Sequence, residues 1–143
     1  MNATRRRPVA AAALVAAALF CAASAQAAPA SPEEVVRAYA EAANRHDVDA
    51  LLALYAPDVR KYGFPATPGT EGRESNREKY RRNFAENPGL NVKILDMTSV
   101  ANKVVSHDLV TGLASGRMSE EITVYQVDDG QITHIVYVER QLR

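Results

Sequence analysis

The stretch SPEEVVRAYAEAANRHDVDALLALYAPDVRKYGF, residues 31–64, decides the fold because it predicts two helices that lead into a strand. Ser31, Pro32 and Glu34 have the pattern of a capping box with proline at the first helical position. Apolar residues then recur at helical spacing as far as Asn44, opposite a charged face. The sequence therefore predicts an amphipathic first helix that buries one side.

A second, shorter helix is predicted next. Asp47 suits an N-cap, and Pro57 disfavours helical geometry in the residue before it. A strand is expected over residues 59–64. The prolines and glycines of residues 65–72 predict a loop.

A third helix is expected over residues 73–86, with Tyr80 as an apolar contact. From residue 90 onward the periodicity changes to that of β-strands, which are predicted over residues 90–100, 103–112, 118–127 and 131–139. Asp129-Gly130 between the last two strands is a hairpin signal. Helices followed by long strands predict an α+β domain in which the helices pack on one face of a curved antiparallel sheet.

The N-terminal segment has the three parts of a secretory signal. Arg5-Arg6-Arg7 is a basic region, residues 9–23 are apolar, and Ala25-Gln26-Ala27 fits a cleavage site. The apolar run is short for a membrane span, which needs roughly 20 residues. We therefore expect a signal peptide at residues 1–27, a domain at residues 28–143 and a secreted or periplasmic location. An uncleaved N-terminal anchor is the alternative.

The composition excludes several classes of partner. Removal of the signal would take away three of the 17 basic residues and none of the 17 acidic ones, which leaves a mildly acidic domain. That charge argues against nucleic acid and against an anionic membrane as partners.

The one cysteine, Cys21, lies in the predicted signal, so no disulfide is expected. No metal is expected, because His46, His107 and His134 lack ligand spacing, and no cofactor is expected.

Several short motifs resemble the SnoaL-like polyketide cyclase and ketosteroid isomerase group of the nuclear transport factor 2 superfamily. They are Val35-Val36-Arg37-Ala38-Tyr39, Asn44-Arg45-His46-Asp47, Ala53-Leu54-Tyr55-Ala56-Pro57-Asp58-Val59, Gly69-Thr70-Glu71-Gly72-Arg73, Phe84-Ala85-Glu86-Asn87-Pro88-Gly89-Leu90 and Asp129-Gly130-Gln131-Ile132. The resemblance covers nearly all of the domain. It implies a cone-shaped, cystatin-like fold in which a bent sheet wraps around the N-terminal helices and leaves a pocket. It also implies homodimers across the outer face of the sheet.

The same resemblance argues against a steroid isomerase. Tyr39 matches the tyrosine that stabilises the oxyanion in ketosteroid isomerases. The aspartate that serves as their general base falls on Gly63, and their second, protonated aspartate falls near Thr123. That chemistry needs a base and two oxyanion donors, and here one donor remains without a base.

Strand alternation and the resemblance together predict which polar side chains face the interior. Asp108 is the candidate general base, since an aspartate in an apolar cone loses water and its pKa rises. The alternative places Asp108 at the rim, solvated or paired with a basic residue. Tyr39 is the second candidate catalytic residue. The candidate ligand-binding residues are Tyr55, Glu121, Thr123, Tyr125, Tyr137 and Glu139.

Two further features of the predicted strands are a pair of glutamates and an apolar outer face. Glu121 and Glu139 could divide acid and base roles near the pocket mouth, but glutamates near strand ends usually face solvent. His134 is expected among Ile132, Val136 and Val138 on the outer sheet face, which predicts a homodimer interface.

These patterns favour an exported domain that binds a small, largely apolar molecule, and they leave open whether it is an enzyme. One alternative is a lyase or isomerase acting on a small carbonyl or polyketide-like substrate, with Asp108 as base and Tyr39 or Tyr137 stabilising an enolate-like oxyanion. The other is a homodimerising interaction module whose cone is filled by its own side chains. The sequence has no serine hydrolase, zinc protease, P-loop or dinucleotide-binding motif.

Overall fold

The computed structural model describes residues 30–143, which form three helices and a six-stranded sheet. The elements in chain order are α1 (Pro32–Asn44), α2 (Val48–Ala53), β1 (Tyr55–Gly63), β2 (Thr67–Glu71), α3 (Arg73–Glu86), β3 (Asn91–Val100), β4 (Lys103–Thr111), β5 (Ser119–Asp128) and β6 (Gln131–Leu142). The predicted signal peptide at residues 1–27 lies outside the described residues. Within the described part, no helix has the length and apolar character needed to cross a membrane.

The sheet is curved and open, with the helices packed against its inner face. Its strand order is β2-β1-β6-β5-β4-β3. Neighbouring strands pair antiparallel, except that β1 and β6 pair in parallel. This confirms the predicted α+β class and places the first strand beside the last one.

The two N-terminal helices begin at the predicted caps. The Ser31 hydroxyl accepts a hydrogen bond from the Glu34 backbone N–H at 3.3 Å, and the Glu34 carboxylate accepts one from the Ser31 N–H at 2.7 Å. Asp47 caps α2 by accepting from the Ala50 N–H at 2.9 Å. Each cap satisfies backbone donors that a helix start leaves free.

The predicted loop over residues 65–72 is wrong in its centre, where β2 (Thr67–Glu71) pairs with β1. Pro68 and Gly69 are tolerated there because β2 is an edge strand, whose backbone bonds a neighbour on one side only. Short edge strands with proline also discourage pairing with other chains.

Two irregularities in β6 reverse the expected alternation of its side chains. The β5–β6 register shifts twice, and the directly paired residues skip Thr133 and Val138. An extra residue in one strand turns the following side chains to the opposite face. Ile132, expected on the outer face, is therefore fully buried. Glu139, expected in the interior, pairs with Ile122 of the outer face and is exposed.

The hydrophobic core lies where α1 and α2 pack on the sheet. Its fully buried large side chains are Leu51, Leu52, Tyr55, Ile132 and Ile135. Burying one such aliphatic side chain contributes about 1.5–3 kcal/mol. This core holds α1 and β1 in place, and these elements carry Tyr39 and Lys61 to the site described next.

Candidate functional site

A cavity of about 640 Å³ lies between α3 and the inner face of β4, β5 and β6. Ligand sites for small molecules usually have volumes of about 300–1,000 Å³. Its wall combines apolar side chains (Ala43, Phe84, Leu90, Val92, Val110, Leu113 and Leu142) with polar ones (Tyr39, Lys61, Lys79, Tyr80, Arg82, Asn83, Glu86, Asp108, Ser119, Glu121, Thr123, Tyr125, Tyr137 and Arg140). Side chains of the described residues leave this volume unfilled.

Tyr80 of α3 is the centre of a hydrogen-bonded cluster in this wall. Its hydroxyl oxygen lies 2.7 Å from the Tyr39 hydroxyl, 2.6 Å from the Tyr55 hydroxyl and 2.7 Å from Lys61 Nζ. A phenol offers one proton and two acceptor lone pairs. Three partners therefore use the whole capacity of Tyr80.

Within this cluster of three tyrosines and Lys61, the hydrogen bonds leave one hydroxyl proton free for a ligand. Because Lys61 donates to the Tyr80 oxygen, that oxygen accepts one further hydrogen bond and donates one. Whichever of Tyr39 and Tyr55 accepts from Tyr80 keeps its own proton free. Tyr39 lines the cavity whereas Tyr55 is buried behind Tyr80, so Tyr39 is the member that can donate to a ligand.

Burial keeps these phenols neutral. It raises the pKa of Tyr39 above its ordinary value, and the nearby charges of Glu121 and Asp108 add to that rise against the opposing hydrogen bonds. Burial likewise raises the pKa values of four further tyrosines, Tyr55, Tyr80, Tyr125 and Tyr137. Neutral phenols donate hydrogen bonds, so this wall is suited to an acceptor oxygen on a ligand.

Lys61 of β1 is a cavity-lining residue that the sequence did not indicate as a site candidate, and Tyr80 was expected only as an apolar contact. Its side chain is 2% exposed, and Nζ lies 4.9 Å from the Tyr55 ring centre and 4.6 Å from that of Tyr80. No carboxylate lies within ion-pair distance of it among residues 30–143. Burial, and secondarily repulsion by Lys79, lowers the pKa of Lys61 to about 7. A large fraction of this side chain is therefore a neutral amine near neutral pH.

Asp108 of β4 faces the cavity as predicted and is 6% exposed. Its Oδ1 accepts from the Ser106 hydroxyl at 2.5 Å, and no lysine or arginine of the described chain pairs with it. Burial raises the pKa of Asp108, the Ser106 hydrogen bond opposes that rise, and the charge of Glu121 adds to it. The carboxyl group is thus buried in the cavity wall and does not lie at a solvated rim.

Of the predicted ligand-binding residues, all but Tyr55 and Glu139 line the cavity, and Tyr55 is instead fully buried in the core. Thr123, Tyr125 and Tyr137 line the cavity. Glu121 also lines it, but Arg140 holds both of its oxygens, at 2.8 Å and 3.1 Å, and Ser119 donates to it at 2.8 Å. Glu139 is turned to the outer face by the irregularity at Val138, so Glu121 and Glu139 do not form a carboxylate pair. Within residues 30–143, no three side chains of metal-binding type come together.

A curved sheet wrapped around helices and closing over a lined cavity defines an α+β protein of the nuclear transport factor 2-like, or cystatin-like, class. The sequence profile of the SnoaL-like domain matches residues 36–135, and the chain belongs to that family.

Solved structures of the same fold include proteins from several bacteria. An uncharacterised cystatin-fold protein from Novosphingobium aromaticivorans is 22% identical, with a TM-score of 0.71 over 77% of this chain and 99% of that one. A protein of ketosteroid isomerase-like fold from Catenulispora acidiphila, in complex with trimethylamine, is 21% identical, with a TM-score of 0.65 over 77% and 87% of the two chains. IdmH, a candidate polyketide cyclase from Streptomyces antibioticus, is 21% identical, with a TM-score of 0.62 over 75% and 90%. No curated protein matches this sequence.

Proposed function

We propose that this chain is an exported domain whose cavity binds a small, largely apolar molecule that carries an acceptor oxygen. The observation that supports it best is the composition of the cavity wall. Apolar side chains line one part of the wall, and the cluster around Tyr80 together with Asp108 supplies polar groups that converge on the same cavity, as small-molecule sites do. The export part of the proposal rests on the signal pattern of residues 1–27.

Ligand retention tests this proposal. Native mass spectrometry of the purified protein is expected to show a bound small molecule, and Leu113→Trp is expected to lose at least about 90% of that occupancy because the indole extends into the cavity. Leu95→Trp is the matched control, since Leu95 is exposed on β3 and does not line the cavity. Absence of a bound mass, together with a cavity that takes up no apolar dye, would contradict the proposal.

The position of Asp108 favours a second candidate, a lyase or isomerase that moves a proton beside a carbonyl. The Asp108 carboxylate would take the proton from carbon, while Tyr39 would donate to the enolate oxygen that forms. With the retained molecule in D₂O, the wild type is then expected to exchange a carbon-bound hydrogen and Asp108→Asn is not. If neither protein catalyses exchange, the carrier function is favoured.

We further propose that the chain forms a homodimer through the outer face of the sheet. Tyr62, Val136, Val124 and Val105 pair directly across four neighbouring strands and form one continuous stripe there. Val105 is 38% exposed, and an apolar stripe of this kind is usually covered by a partner.

Light scattering tests the dimer. Val124→Lys places a charge in the middle of the stripe and is expected to halve the measured mass. Val100→Lys is the control, because Val100 lies beside the β3–β4 turn, outside the stripe, and its mass should not change. A wild type that is monomeric at all concentrations contradicts the proposal.

A further inference from the structure

Lys61 is an unusual group for a cavity wall, because it is buried without a carboxylate partner among residues 30–143. A buried ammonium without a counter-charge is strongly disfavoured, and proteins respond by holding such a lysine as the neutral amine. Here the partners of Nζ are one phenol oxygen and two aromatic faces, and the side chain forms part of the cavity wall. A neutral, desolvated lysine amine is a nucleophile toward carbonyl carbon.

We propose that the Lys61 amine forms an imine with aldehydes or ketones that enter the cavity. The inference rests on the proposed function in one respect, namely that the cavity admits a small molecule. It concerns a covalent reaction at β1, and it does not require the Asp108 chemistry.

The reaction balances without an oxidant or a reductant. The Nζ lone pair attacks the carbonyl carbon to form a C–N bond, and the carbonyl π electrons move to the oxygen, which takes the first of the two amine protons. The nitrogen lone pair of this carbinolamine then breaks the C–O bond, and the hydroxyl leaves as water with the second amine proton. The products are a neutral C=N bond and one water molecule.

Tyr80 is placed to move those protons. Its hydroxyl lies 2.7 Å from Nζ and 2.7 Å from the Tyr39 hydroxyl. A proton that leaves Nζ can therefore pass through Tyr80 to Tyr39, which lines the cavity that would hold the leaving oxygen. Tyr80 is a positioning and relay residue in this scheme, and Lys61 is the nucleophile.

Reductive trapping tests the inference. The folded protein is incubated at pH 7 with 2-naphthaldehyde and sodium cyanoborohydride, and the modified residue is identified by peptide mass mapping. At pH 7 an ordinary lysine is about four parts in 10⁴ amine, so Lys61 is expected to react at least about tenfold faster than Lys79, Lys93 or Lys103 despite its burial. Lys61→Met should lose the rapid adduct, whereas Lys93→Met, at an exposed position of β3, should keep it.

Two further measurements separate the possible failures. The adduct at Lys61 should reach half its maximal rate near pH 7, and an excess of 2-methylnaphthalene, which lacks the carbonyl, should suppress it. Both measurements use the wild-type protein, so they test the imine inference even if Lys61→Met does not fold. If 2-methylnaphthalene binds but only the surface lysines react, the imine inference is overturned and the binding function stands. If neither compound enters, the binding proposal fails as well.

Discussion

Gly112→Ala is expected to lower the free energy of unfolding by roughly 2–5 kcal/mol, whereas Gly116→Ala should lower it by about 1–2 kcal/mol. The two glycines share a left-handed backbone conformation, with φ of +71° and +72°. An alanine in that conformation costs about 1–2 kcal/mol at either position. What differs between them is the space around the added methyl group.

At Gly112 the added Cβ would lie 1.7 Å from the Gly89 carbonyl oxygen, whereas at Gly116 nothing lies within 4 Å of it. The obstacle is backbone, so the connection between α3 and β3 must shift as a whole. Leu90 follows directly and lines the cavity, so the same shift should also weaken ligand retention.

Urea unfolding of both variants, followed by circular dichroism, measures the difference. Equal loss of stability in the two variants would show that the backbone conformation alone matters and that the close approach of Gly89 and Gly112 does not.

The helical part of the fold could be predicted because its signals are local. The capping box at Ser31, the cap at Asp47 and the limits of α3 are encoded by residues within four positions of one another. The cavity-facing position of Asp108 could also be predicted, since β4 alternates regularly along its whole length.

The side-chain directions in β6 could not be predicted in full. Alternation is a reliable guide only while the register is unbroken, and β6 is irregular at Thr133 and Val138. Neither residue is a glycine or proline, so nothing in the local sequence marks the change. This is why Glu139 was expected in the interior and lies outside.

Lys61 was missed for a different reason. Lysine is rarely buried, and the parallel pairing of β1 with β6 joins residues far apart in the sequence. That pairing places Lys61 directly opposite the fully buried Ile135. Strand alternation could have identified Lys61, because it follows Val59 by two residues and therefore lies on the same, buried face of β1.

Lys61→Met is expected to stabilise the protein by up to about 4–5 kcal/mol at pH 6 and to have little effect at pH 10.5. This dependence on pH distinguishes relief of a buried charge from a general gain in packing. The pKa of Lys61 falls from 10.5 to about 7 on folding. Below pH 7 the amine is protonated in both the folded and the unfolded chain, so the folded state bears the full cost of the buried charge. Between these pKa values the unfolded chain binds more protons, so wild-type stability rises with pH. Above pH 10.5 neither state is charged and the cost is gone.

Methionine matches lysine in length and carries no charge, so it removes this cost while it fills the same space. It also removes the hydrogen bond to Tyr80, which offsets the gain by about 1 kcal/mol and should make the variant slightly less stable than the wild type at pH 10.5. Denaturant unfolding at pH 6, 8 and 10.5 measures the difference, with Lys93→Met at an exposed position of β3 as the control whose stability should match the wild type throughout. A gain that stays constant with pH would mean that Lys61 keeps its charge compensated inside the fold. The amine would then be unavailable as a nucleophile.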